Sequence, residues 1–86
     1  MNYTTLDDTR VASRVLQLTH AEFPDVLVEH IEAHHGNDCH LFEFTLRGRS
    51  VREEFSTELI ADEDRTSDLL NRIGRAVRRI GEKAAR

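Results

Sequence analysis

Four histidines and the single cysteine of the chain, His30, His34, His35, His40 and Cys39, fall within eleven residues. Imidazole nitrogen and thiolate sulfur are the ligands that zinc and related borderline-soft cations prefer, and a cysteine beside a histidine is also the smallest pairing of nucleophile and base. Which chemistry is open depends on which side chains share a face. Gly36-Asn37 sits in the middle of the cluster and supplies the residues of a two-residue hairpin turn. Counting outward from that turn pairs His35 with Asp38, His34 with Cys39, Ala33 with His40, Ile31 with Phe42 and Leu27 with Leu46. His34 and Cys39 then share one face, His35 and His40 point to the other, and His30 lies about 13 Å along the strand. Two converging ligands fall short of the four a structural zinc takes. The expectation is no metal and no cofactor, with His34 and Cys39 the candidate ligands. Cys39 and His34 on an exposed sheet have neither pocket nor oxyanion donors, and no phosphate-binding glycine loop is present, so the chain is read as non-enzymatic. Asp62-Glu63-Asp64 lacks the alternating ligands and the glycine of a calcium loop.

Arginine forms the second group. Residues 72–86 carry six basic side chains against Glu82, whereas residues 1–71 carry six arginines against fifteen acids. A 100° helical projection gathers Arg72, Arg75, Arg79 and Arg86 into a strip directed away from the apolar arc, a candidate surface for an anionic partner. The net charge of −4 disfavours a general nucleic-acid binder, because phosphate affinity grows with the number of cations that meet the backbone together.

The elements that must position these groups follow from hydrophobic period. Leu6, Val11, Val15 and Leu18 approximate 3.6 residues per turn, Thr5 and Asp8 resemble a capping box, and Pro24 ends the pattern, which predicts a helix over about 6–22. From Asp25 the period is two, predicting strands near 25–35, 39–47 and 50–58. In the first, Leu27, Ile31 and Ala33 form the inner face, and Glu29, opposite Phe44, is the misfit on it. A four-residue turn over Arg47–Ser50 sets Phe42 opposite Phe55. The period then returns to 3.6, with Leu69, Leu70, Ile73, Ala76, Val77, Ile80 and Ala84 on one arc of a helix from about 62 to 84, and cap candidates at Asp62, Thr66 and Ser67. Gly74 and Gly81 in that helix imply a close approach by the first helix. The fold class is α+β: α-β-β-β-α, a three-stranded antiparallel meander with both helices on one face.

With 86 residues, 38% of them hydrophobic and 33% charged, the chain forms one domain rather than a disordered segment. No apolar run approaches the roughly 18 residues of a membrane span, and MNYTTLDD lacks the layout of a signal peptide. A single cysteine rules out an internal disulfide. These features point to a soluble, cytoplasmic protein without membrane contact.

Helix, three-stranded meander, helix, together with Gly36 and His40 at the first hairpin and Phe42 after them, resembles a double-stranded RNA-binding domain. The resemblance implies that fold, with Gly36 and His40 placed to enter an RNA minor groove. Where that family carries phosphate-gripping lysines, this chain has Asp62, Glu63, Asp64 and Asp68. In length and layout it is also similar to many small bacterial domains.

The functional expectation is a non-enzymatic protein-interaction module. Its partner would be another protein or a second copy of the chain, met by the outer sheet face (Val26, Val28, Leu41) or an edge strand. The alternatives are double-stranded RNA bound through the arginine strip and a metal bound at the His/Cys hairpin. The crowded histidines predict altered self-association or solubility between about pH 5 and 7.

Overall fold

The computed structural model of the chain describes residues 3–34 and 36–84, with side chains over 9–34 and 36–82. The order is α1 (Tyr3–Glu22), β1 (Leu27–His34), β2 (Cys39–Leu46), β3 (Arg49–Ser56), α2 (Thr57–Ala61), a 3-10 turn (Glu63–Arg65) and α3 (Thr66–Ala84). The strands form one antiparallel sheet in the order β1-β2-β3, and the helices pack on one of its faces. No helix among the described residues is long and apolar enough to cross a membrane.

The core is assembled from alternate strand positions and the apolar helix stripes. Phe42, Phe44, Val51 and Phe55 from the sheet meet Val11 and Val15 of α1 and Leu69, Ile73, Ala76 and Ile80 of α3. The rings are tilted or edge-on to one another, with centroids 5.9 Å (Phe42–Phe55) and 6.1 Å (Phe44–Phe55) apart. Thr19 is fully buried in the α1 stripe, where an apolar count leaves a gap; its hydroxyl donates to the Val15 carbonyl at 2.7 Å. α1 begins at Tyr3, so Thr5 lies inside the helix rather than capping it. It closes with Phe23 N–H on the Thr19 carbonyl at 2.7 Å, one residue before Pro24.

Three departures from the simple alternating register matter for the site. The first is a β-bulge in β1. Ala33 pairs with His40 and His34 with Cys39 as the hairpin count requires, but Ile31 has no partner, and His30 pairs with Phe42. One supernumerary residue reverses the face of everything before it. Val26, Val28 and His30 turn inward, Leu27 turns outward to 71% exposure, and Glu29 leaves the inner face to stand opposite Glu43. The bulge thereby removes the Glu29 misfit. It also withdraws Val26 and Val28 from the outer face, where they cannot serve as a docking surface.

The second departure is the β2–β3 turn, which takes two residues, Arg47 (φ 54°) and Gly48 (φ 80°), in place of four. This is the left-handed pair that a tight hairpin needs. The shortening slides β3 by two residues, so His40 rather than Phe42 faces Phe55, and Glu53 lies opposite Phe42 on the helix side. At the other hairpin, His34–Cys39 is the last pair of the ladder, and Asp38 has φ 55°. His35 lies outside the described residues.

The third lies after β3. Ser56 ends the strand and caps α2, its hydroxyl accepting from Leu59 N–H at 3.1 Å, so Thr57 and Glu58, expected at the end of the third strand, instead open a helix that buries Leu59 and Ile60. Asp62 caps the 3-10 turn by accepting from Asp64 N–H at 2.9 Å, and α3 starts only at Thr66. Gly74 is approached by the Phe23 ring rather than by a helix backbone: a Cβ there would lie 3.7 Å from Phe23 Cζ, and one at Gly81 would meet nothing within 4 Å. The glycine pair is therefore not a helix-crossing contact.

Candidate functional site

On the outer face, the end of the first hairpin brings three strands' side chains together. His34 closes β1, Cys39 opens β2 as its cross-strand partner, and Glu54 of β3 stands opposite Leu41, on the same face. One ligand atom from each of these three residues lies within 4.8 Å of the other two. His34 Nδ1 is 2.9 Å from Glu54 Oε2 and 3.9 Å from Cys39 Sγ. The other ring nitrogen, Nε2, lies 2.8 Å from Glu32 Oε2. Glu32 shares the outer face because it follows the bulge.

The electrostatics follow from these contacts. As an imidazolium, His34 donates Nε2–H to Glu32 and Nδ1–H to Glu54, and these bonds, Glu32's first, raise its pKa above the ordinary 6.5. Desolvation pushes the Cys39 thiol above 9.0, and Glu54 beside it adds to the rise. Cys39 is therefore a protonated thiol at neutral pH, the opposite of an activated nucleophile. The arrangement does not build a thiolate–imidazole pair.

It does build a ligand set. Tetrahedral zinc, with bonds of about 2.3 Å to sulfur and 2.0 Å to nitrogen or oxygen, spaces its ligand atoms about 3.3–3.6 Å apart. The 3.9 Å and 2.9 Å separations straddle that spacing and the three atoms all lie within 4.8 Å of one another, so small side-chain rotations can bring Sγ, Nδ1 and a Glu54 oxygen onto one cation. Glu32 on Nε2 is the carboxylate that orients a ligating histidine from behind.

The remaining histidine pair is separate. His30 Nε2 and His40 Nδ1 are 3.1 Å apart on the helix side, with His40 only 2% exposed and the His30 ring 5.0 Å from that of Phe42. A direct N–H···N bond needs one bare ring nitrogen, so both rings cannot be imidazolium and keep it. His34 and Cys39 were identifiable from hairpin counting. Glu54 was not, because its place depends on the β2–β3 register, and that hinges on a non-glycine residue, Arg47, adopting a positive φ.

The arginine strip divides. Arg72 lies over the Phe55 ring at 5.6 Å and donates to the Glu54 carbonyl at 3.4 Å, and Arg79 pairs with Glu53. Both lean onto β3 rather than directly away from the core, since Glu53 faces the helices. Arg75 and Arg78 border a groove with Phe23 and have no carboxylate within 4.0 Å among the described residues. Arg86 lies outside the described residues.

Comparison with protein-family models, curated proteins and solved structures gave no match in any of the three.

Proposed function

We propose that this chain binds a borderline-soft divalent cation, zinc being the type case, through His34 Nδ1, Cys39 Sγ and a Glu54 carboxylate oxygen. The observation that carries this reading is the convergence of three different ligand types from three strands within 4.8 Å, with Glu32 behind the histidine. Three protein ligands leave a fourth position for water or a group on a partner. Binding releases the protons of His34 and Cys39, so affinity rises with pH. The test is titration of the reduced chain with Zn2+ by calorimetry and with Co2+ by absorption. One equivalent should bind, with a thiolate-to-cobalt charge-transfer band that Cys39→Ser abolishes, and His34→Ala or Glu54→Gln should each weaken affinity at least tenfold. Binding that survives both Cys39→Ser and His34→Ala would refute the site.

A second reading, a protein-interaction module that pairs with a second copy of itself, is favoured by one observation. Leu16 (39% exposed) and Leu27 (71%) are the exposed large apolar side chains among the described residues, and they line one groove beside β1, a free edge of the sheet. Light scattering should then give a dimer mass that Leu27→Lys reduces to the monomer. A wild-type monomer at high concentration rejects this reading.

A further inference from the structure

We infer that the groove between the C-terminal end of α1 and α3 binds a phosphate monoester carried on a flat apolar body, with Arg75 and Arg78 holding the phosphoryl group. The two arginines of α3 that lean the other way are already satisfied, Arg72 by the Phe55 ring and the Glu54 carbonyl and Arg79 by Glu53. Arg75 and Arg78 are exposed and have no carboxylate within salt-bridge distance among the described residues, although Glu22 stands on the same rim. They are three residues apart on one helix, so their guanidinium groups lie on neighbouring turns. The groove they border has a volume of about 440 Å3, with the Asn71 amide on its wall and the half-buried Phe23 ring in its lining.

Charge and shape select the ligand. A phosphate monoester carries about −1.5 to −2 charges at pH 7 and matches two guanidinium forks, each able to donate in bidentate fashion. Phe23 and Leu70 supply an apolar surface on which a planar body can lie. A long polyanion fits worse, because Glu22 sits on the rim and the rest of the molecule is strongly acidic.

Gly74 supplies an independent argument. A glycine within a helix costs about 1 kcal/mol relative to alanine. Packing does not demand it here, since an added Cβ would make only an ordinary 3.7 Å contact with Phe23. What the missing side chain does is leave the groove open beside the Phe23 ring. Gly81 also lacks a packing reason, so a glycine alone signals nothing; Gly74 differs in lining the groove itself.

The experiment is calorimetric titration of the full chain with phenyl phosphate and with inorganic phosphate, with folding checked by circular dichroism. Phenyl phosphate should bind saturably at one site and at least fivefold tighter than inorganic phosphate. Arg75→Ala with Arg78→Ala should weaken it at least tenfold, while Arg72→Ala with Arg79→Ala should change it less than threefold. Gly74→Leu improves helix propensity and fills the groove, so it should abolish the preference for phenyl phosphate while the fold is kept. Equal loss in the two double mutants, an unaltered Gly74→Leu variant or non-saturable binding would each overturn the inference. So would tighter binding of double-stranded RNA through Arg75 and Arg78 with a steep salt slope, which would make the groove a polyanion surface.

Discussion

His34 and His30 lie four residues apart on one strand, yet they end in opposite chemical settings. His34 stands on the open face between two carboxylates and beside a thiol, while His30 is turned under the helices onto a buried histidine and a phenylalanine ring. Residue type is the same and sequence distance is short. The difference comes from strand parity, which Ile31 reverses between them. The partner a histidine meets, carboxylate and thiol or another imidazole and a phenyl ring, is set by the backbone frame rather than by the local composition.

The sharpest way to break this comparison is to truncate one histidine on each side. His40→Ala removes a ring that is 2% exposed and strands His30, and should destabilise the chain by about 2–4 kcal/mol in urea unfolding. His34→Ala, on the open face, should move the midpoint little; a larger effect at His34 than at His40 would reverse the assignment of faces. Next in size is the metal. At a free zinc concentration a hundredfold above Kd, the folded state gains about 2.7 kcal/mol, lost on chelation and in Cys39→Ser. In the same sample His34 ring resonances should move while those of His30 and His40 stay in place.

The fold was largely legible from period alone because its core uses regular spacings: Val11 and Val15 on α1, Phe42 and Phe44 on β2, and Leu69, Ile73, Ala76 and Ile80 on α3 are all buried. What stayed hidden was whatever depends on a single residue out of phase. Ile31 looks like one more inward apolar residue, and only the misfit of Glu29 hints that the frame changes there. The third strand was expected to run on through Thr57 and Glu58, and what stops it is the Ser56 hydroxyl accepting from Leu59 N–H, a bond made by a residue common in loops and caps alike. The candidate site was half readable for the same reason: His34 and Cys39 depend on the near hairpin, whereas Glu54 arrives through the far one.

Smaller effects sharpen the contrast. The His34 pKa, read by NMR, should lie above 6.5, and Glu32→Gln should lower it more than Glu54→Gln because the Glu32 bond contributes most. A raised folded-state pKa means that the stabilisation from this carboxylate clamp is fully present below the unfolded value near 6.5 and fades as pH rises through the folded value. The opposite slope, stability from His34 growing across that interval, would show that the ring is neutral in the fold. The smallest change expected is for deletion of Ile31. Every other β1 pairing is already counted without it, so the shortened strand keeps all its faces and stability should shift by less than about 1 kcal/mol.

That deletion should nonetheless alter how the molecule behaves in a crowd. β1 is an outer strand with one side of its backbone free of sheet partners, and an uninterrupted row of amides there is a template on which further chains can stack. The extra residue bends the row partway along, leaving a straight stretch of only four residues, Leu27 to His30, before the kink. A partner strand pairing along this edge would meet a break in the row of amides after so short a segment, whereas β3, the other outer strand, carries no such interruption. The irregularity that sorts the histidines thus also interrupts one of the two exposed edges of the sheet, and a chain relieved of it should aggregate more readily at high concentration.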